Sequence, residues 1–401
     1  MSVHPTDGRY FSAGKLPETL QLLFRLSRIF GLLPYDSLNV ISRSWYIYSI
    51  FPVFIIMIGS SGFCIHTLYY TNFLALNPSM FTTTLLYLTQ QGMQVVCLFS
   101  HILSIGLYRS DFDELLIALP EWAYSGEKSR FAGFWTVFGV IFLTFYYTFT
   151  TILANTEWSS VCWYTFVCLN EICIYLILIQ FCTLLEIIEM QLKSLTLLLS
   201  RNRNLVPLTE THYAFVGRSS TVNSVYAWQI LIICTLIFIN FVSWLFNAMT
   251  DVMSEHPQAY SILLKVSYCM WQIANIYFIA GSCEAVVEKV ETFSAELFRI
   301  MRESKNLCDN EKLNLYVSMK QTVKFTACGF FSVGYPLVTS IIAAATTYLV
   351  ILVQFSLSSS SSSSTTAPPT TLSGTTPKIS FVSTLTSTSP ASNLHSTTAI
   401  P

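Results

Sequence analysis

Charge is what this 401-residue chain has least of: Asp, Glu, Lys and Arg make up 11% of it, less than half the share of an ordinary soluble domain. The net charge is −1, so nothing suggests nucleic-acid binding. Metal and redox patterns are also missing. The 11 cysteines are odd in number and lie mostly within apolar stretches. No loop shows CxxC or His/Cys zinc spacing, so they read as apolar packing residues, and no metal or cofactor is expected. There is no nucleophile elbow, phosphate loop or HExxH, nor a carboxylate cluster on one helix face, so the pattern predicts no enzyme. The only Asn-x-Ser/Thr triplet, Asn77-Pro78-Ser79, carries the forbidden proline. The first 40 residues lack an apolar core followed by a small-residue cleavage site, so the first apolar stretch is expected to act as the targeting signal.

What is abundant is apolar surface: 53% of residues, including 30 Phe and 21 Tyr. Seven stretches reach the roughly 20 residues that a membrane crossing needs, at about 46–67, 81–107, 131–154, 160–185, 226–249, 260–284 and 332–355. Away from their ends they carry two formal charges, Glu171 in the fourth and Lys265 in the sixth. Of the 21 Lys and Arg residues, 19 fall in alternate segments: the amino-terminal one and those after stretches two, four and six. Basic residues stay on the cytoplasmic side. The sequence therefore predicts an all-α membrane protein of seven transmembrane helices, with a cytoplasmic amino terminus and an extracellular carboxy terminus.

Four segments flank this 46–355 domain or extend its spans. Within 1–45, residues 17–30 (PETLQLLFRLSRIF) alternate basic and apolar positions at helical spacing. They predict a helix on the inner membrane surface or on other cytosolic helices, ended by Gly31 and Pro34. Residues 186–225 and 285–331 begin by continuing spans four and six as helices with an apolar face. That face is buried either within one subunit or against a neighbouring one, and the two readings weigh equally here. Residues 356–401 hold 26 Ser or Thr and five prolines. This composition predicts a disordered, mucin-like tail on the outer side.

Polar groups inside spans are expensive unless paired or wetted. Gln90, Gln91 and Gln94 lie in the second span, Asn170 and Glu171 in the fourth, Asn240 and Asn247 in the fifth, and Gln272 and Asn275 in the sixth. A single amide is most simply an interhelical hydrogen bond. Glu171, an acid at mid-membrane with no basic partner in the spans apart from Lys265, points equally to a cavity. Aromatics gather toward the outer ends of spans three to six, and Trp163, Trp244 and Trp271 join the polar residues in a candidate ligand pocket: Glu171, Asn170, Trp163, Asn240, Trp244, Trp271 and Gln272. In the last span, Thr339, Ala343, Thr346, Val350 and Gln354 form a small, weakly polar stripe that suits either a close helix contact or a pore wall. Glu157, Asp251 and Glu255 in the outer loops, with no Lys or Arg beside them, would draw cations.

The last span carries a more specific signal. Thr347-Tyr348, five apolar residues and Gln354-Phe355 closely resemble the carboxy-terminal signature of insect gustatory receptors. The run FTACGFFSVGYPLVTSIIAAATTY before it and SRIFGLLPY near the amino terminus are similar to that family too. The resemblance covers residues 15–355. It implies a ligand-gated, non-selective cation channel built as a homo- or hetero-tetramer with related receptors. A small-molecule tastant would bind in the outer half of each bundle, the cytosolic helices would join subunits, and the last span would line the pore. Gln354 and Phe355 match the constriction, with Val350, Thr346 and Tyr348 on the pore helix. Such a protein sits in membrane lipid as a multi-pass plasma-membrane protein, in a gustatory neuron dendrite. Strong sugar-receptor variants of the motif are missing, so bitter or other plant compounds lead. The Ser/Thr-rich tail departs from the family, whose members end soon after the Gln-Phe pair. The alternative function is a metabotropic seven-helix receptor coupled to a G protein. The inverted charge pattern opposes it, as does the lack of a DRY-like motif after span three and of NPxxY in span seven.

The topology has a direct test. On intact cells, antibody is expected to reach a tag placed after Pro401 and not a tag placed before Met1. The reverse staining would overturn the inverted arrangement.

Overall fold

The structure, a computed structural model, describes residues 18–33, 43–70, 78–108, 110–111, 130–153, 158–199, 205–253, 258–303, 310–319 and 321–362. The elements described are α1 (Glu18–Ile29), α2 (Arg43–Tyr70), α3 (Pro78–Leu107), α4 (Arg130–Leu153), α5 (Trp158–Leu199), α6 (Val206–Val252), α7 (Ala259–Glu303), α8 (Glu311–Ser318), strands β1 (Thr326–Ala327) and β2 (Phe331–Ser332), and α9 (Tyr335–Ser362). The protein is a mostly helical membrane protein, with one short β-hairpin among the described residues. Five helices among the described residues are both long and apolar enough to cross a membrane. α2 and α3 have the length, at 28 and 30 residues, but α3 is interrupted by Gln90, Gln91, Gln94 and His101, all buried.

The bundle is built around α5. It packs against α2, α3, α4, α6 and α7, and 94% of its most apolar stretch is buried. α9 is the opposite case: it rests on α6 and α7 at the periphery, and only 17% of its apolar stretch is covered. Two glycines let neighbours come close to α5. A Cβ on Gly59 would strike the Phe166 ring, and one on Gly139 would strike the Tyr175 ring. The Tyr175 hydroxyl donates to the Trp135 carbonyl at 2.7 Å, so α4 and α5 are locked by steric fit and a hydrogen bond at one level.

α5, α6 and α7 have 42, 47 and 45 residues. At 1.5 Å per residue these are roughly 60–70 Å long, about twice the hydrocarbon thickness. They project at the end of the bundle that carries the basic segments. The extension of α6 goes beyond the sequence expectation, which extended only spans four and six. Its buried positions there, His212, Phe215, Ser219 and Val222, keep helical spacing. Half of them are polar, so the apolar periodicity is weak. His212 is buried; its ring stacks on Phe293 at 4.1 Å and its Nδ1 meets the Tyr316 hydroxyl. Burial lowers its pKa to about 4, so the ring is neutral near pH 7 and acts as a hydrogen-bonded spacer joining α6, α7 and α8.

α1 packs on α4 and α5, with Leu23 and Ser27 fully buried. It ends where SRIFGLL predicts. Gly31 takes φ 74°, Leu32 N–H donates to Ser27 O at 2.7 Å and Gly31 N–H to Arg28 O at 3.0 Å. This is the paired-bond helix stop that favours glycine. His101 Nε2 lies 3.1 Å from the Leu32 carbonyl and ties the turn to α3. A second turn, not anticipated from sequence, precedes the last helix. Cys328 and Gly329 both take positive φ, 51° and 77°, as tight hairpin turns demand. β1 and β2 pair across it, and Asn223 of α6 accepts the Thr326 N–H at 3.1 Å. α9 then runs to Ser362, past the expected end at 355 and into the serine run. The remainder of the tail, 363–401, lies outside the described residues.

The glycine contacts give a paired test. Gly139→Ala is expected to displace the Tyr175 ring and lower stability by about 1–3 kcal/mol, as overpacking does. Gly217→Ala, whose Cβ meets nothing within 4 Å, is expected to be neutral or to gain up to about 1 kcal/mol. Thermal unfolding of the detergent-solubilised protein measures both. Equal behaviour of the two variants would show that the α4–α5 contact is not limiting.

Candidate ligand cavity and the outward face of the last helix

Helical spacing brings the polar residues of three helices to one level. On α5, Glu171, Ile174, Tyr175 and Leu178 share a face. On α7, Tyr268, Trp271, Gln272 and Asn275 do so, and on α6 Ile233, Leu236, Ile237 and Asn240 do. These faces line a partly open cavity of about 30 Å³, room for a water-sized group. Glu171, Tyr175, Asn240, Trp271, Gln272 and Asn275 line it with Leu and Ile side chains.

Glu171 is held by neutral groups. Gln94 Nε2 of α3 donates to Glu171 Oε1. Asn170 Nδ2 lies 3.3 Å from Gln94 Oε1 and 3.3 Å from Ser60 Oγ of α2. A relay thus runs Ser60–Asn170–Gln94–Glu171 across α2, α5 and α3. Gln90 and Tyr268 lie beside the same carboxyl. Lys265, the basic residue nearest in the spans by sequence, is not its partner. Its Nζ is 2.5 Å from Asp251 and 3.3 Å from the Asn247 carbonyl, and Ser261 Oγ also donates to Asp251 at 2.7 Å. This pair ties α6 to α7 at the end opposite the basic segments.

Aromatic rings pack on and beside the cavity wall. Trp271 stacks on Phe142 at 4.6 Å and meets Tyr175 at 5.2 Å. Tyr146, Trp244 and Tyr268 form a triangle with ring centroids 5.0, 5.1 and 6.1 Å apart. Asn240 Oδ1, Trp244 Nε1 and Tyr146 OH are buried without a hydrogen-bond partner among the described residues.

The structure thus places Glu171, Asn240, Trp271 and Gln272 around one cavity. Asn170 faces the relay, and Trp244 sits in the aromatic triangle rather than on the cavity wall. The side chain of Trp163 lies outside the described ones. Tyr175, Asn275 and Gln94 join the site although sequence reasoning did not select them. Asn275 and Gln94 were visible as polar residues within spans, but their pairing needs the tertiary arrangement.

On α9 the whole stripe Thr339, Ala343, Thr346, Val350 and Gln354 is exposed, while Val338 and Ala345 face the bundle. Thr346 and Thr347 return their hydroxyls to the Ala343 carbonyl at 2.8 and 3.0 Å, which leaves the stripe smooth. Tyr348 is exposed but sets its ring edge-on against Phe238 of α6 at 5.7 Å. The side chain of Phe355 lies outside the described ones.

The sequence profile of the 7tm Chemosensory receptor family matches residues 20–359. The chain belongs to this family. Its fold agrees with the insect olfactory receptor OR5 from Machilis hrabei: TM-score 0.60, 15% identity, 84% of this receptor and 97% of that chain covered. OR5 in complex with eugenol matches with TM-score 0.59 and 14% identity, over 84% and 98% of the two chains. At such identity the likeness speaks for the fold alone. No curated protein sequence matches significantly. The receptor is thus a member of a chemosensory receptor family, which is not an enzyme class.

This aromatic packing generates a prediction. Trp271→Ala removes a core ring and costs about 3–5 kcal/mol of stability, so Trp271→Phe is the gentler probe. Trp271→Phe is expected to reach the cell surface and shift the half-maximal ligand concentration about tenfold, about 1.4 kcal/mol, in calcium imaging against a compound panel. An unchanged dose response would make Trp271 an ordinary packing residue.

Proposed function

We propose that this receptor is a ligand-gated, non-selective cation channel that detects small organic taste compounds. The observation that carries this reading is the contrast between α5 and α9. The centre of the bundle is filled by α5, which leaves no room for a conducting path through one subunit. α9 stands at the edge with a smooth, weakly polar face turned outward. Closed rotational symmetry is the usual way to cover one such face on every copy. Four copies around an axis would place the Thr339–Gln354 stripe on a central path, with Gln354 and Phe355 as its constriction and the long basic-end helices joining subunits.

The remaining features support the same reading. The alternation of basic segments argues for a cytosolic amino terminus and a multi-pass plasma-membrane protein. Asp251, expected from sequence to stand without a basic neighbour, is paired with Lys265, so the attraction of cations to the outer mouth is left to Glu157 and Glu255 of the intervening loops. The cavity beside Glu171 and Asn240 combines apolar walls with a few convergent polar groups, as small-molecule sites do. A protein of the same fold, OR5, has been solved with eugenol, which supports a small organic ligand here. The Thr347-Tyr348…Gln354-Phe355 signature favours taste over smell, and plant-derived bitter compounds over sugars.

A ring of four amides beside four phenyl groups closes a path by sterics and dewetting and opens when the helices part. Gln354→Ala is expected to raise the ligand-free current in whole-cell recordings. Cysteine introduced by Gln354→Cys is expected to react with external thiol reagents, faster with agonist present. If Gln354→Ala reaches the surface with unchanged basal current, selectivity and agonist response, Gln354 is not the gate and the stripe is a packing seam.

A further inference from the structure

The polar atoms around the cavity specify the chemistry of its occupant. Glu171 is 7% exposed and lines the cavity. A carboxylate offers about four lone-pair sites, and among the described residues the neighbours that approach this one are neutral: Gln94, Gln90 and Tyr268. Neutral donors satisfy lone pairs but supply no counter-charge, so a cation beside this carboxyl would offset the cost of burying its ionised form. Lys265, the basic residue that the sequence places within the spans, is engaged with Asp251. Asn240 Oδ1, 3% exposed and on the same cavity wall, is a second acceptor with no donor among the described residues. Two acceptors, one of them a carboxylate, therefore face one small space.

The walls agree with the acceptors. Trp271 lines the cavity and its ring is held by Phe142 and Tyr175. Tyr146 and Tyr268 lie within electrostatic reach of Glu171, and Trp244 completes their triangle. Aromatic faces attract cations, more strongly where water is excluded. A carboxylate, an amide oxygen and an aromatic shell together recognise an organic ammonium and reject an anion. The cavity of about 30 Å³ takes an ammonium head as it stands.

We propose that the cavity receives the ammonium group of an aromatic amine, with Glu171 as counter-ion and Asn240 as hydrogen-bond acceptor. This rests on the reading that the cavity is the ligand site, and it narrows the ligand class to protonated bases. The rival occupant is a neutral hydroxyl compound donating one hydrogen bond to Glu171.

The test uses the full chain in lipid nanodiscs and three amine–alcohol pairs: phenethylamine with 2-phenylethanol, benzylamine with benzyl alcohol, and tryptamine with tryptophol. Thermal unfolding reports binding without gating. At least one amine is expected to stabilise the protein at a tenfold lower concentration than its alcohol. Glu171→Gln is expected to abolish that preference, leaving the response to the alcohol within threefold. Asn240→Ala, which spares the charge, is expected to weaken the amine several-fold and serves if Glu171→Gln does not fold. The comparison within the unmodified protein needs no variant. Equal or stronger stabilisation by the alcohols, or no stabilisation by any amine, overturns the proposal. Whole-cell currents separate it from the channel reading. Amine binding without current removes the channel and keeps the ligand class. Current evoked by the alcohols alone keeps the channel and removes the ligand class.

Discussion

The arrangement depends on the burial of α5. A helix enclosed on all sides cannot leave a polar side chain to lipid or water, so each one must be met by a neighbour. Asn170 and Glu171 impose this demand at mid-membrane, and the answer comes from α2 through Ser60 and from α3 through Gln94. Lower on the same helix, Gln180 accepts from the Tyr226 hydroxyl of α6 at 3.3 Å. These bonds fix which faces of α2, α3 and α6 turn inward. The close approaches at Gly59 and Gly139 then fix how near α2 and α4 come. Polar pairing sets orientation and apolar packing sets distance.

Much of this was legible in the sequence, and the reasons differ by element. The basic residues mark alternate segments because charge at the interface follows a one-sided rule. The lengths of α5 and α7 followed from apolar periodicity that persists beyond the span. α6 hid its extension because His212 and Ser219 occupy core positions, where periodicity counts them as polar. The hairpin at Cys328-Gly329 hid because a non-glycine residue takes one of its two positive-φ positions.

The cavity was legible in part. Glu171, Asn240, Trp271 and Gln272 could be selected one span at a time, because each is an unusual residue at its depth. The Gln94–Glu171 bond joins positions 77 residues apart, and no local pattern carries such a pairing. Trp244 and Trp271 looked alike in sequence, yet one stands in the aromatic triangle and the other on the cavity wall. The difference is the rotation of α6 relative to α7, which packing alone decides.

The two ends of α9 are held unequally. Its start is pinned: the hairpin before it is bonded to Asn223, and Val338 is buried. Its far end presents exposed Val350, Ile351 and Gln354. The helix is nonetheless held along one side for most of its length: Ala345 is fully buried, Leu352 packs on the cluster of Phe241, Val242 and Cys269, and the Tyr348 ring meets Phe238. A displacement of its exposed stripe therefore has to be carried by α6 and α7 together with α9, and not by bending at Tyr335 alone.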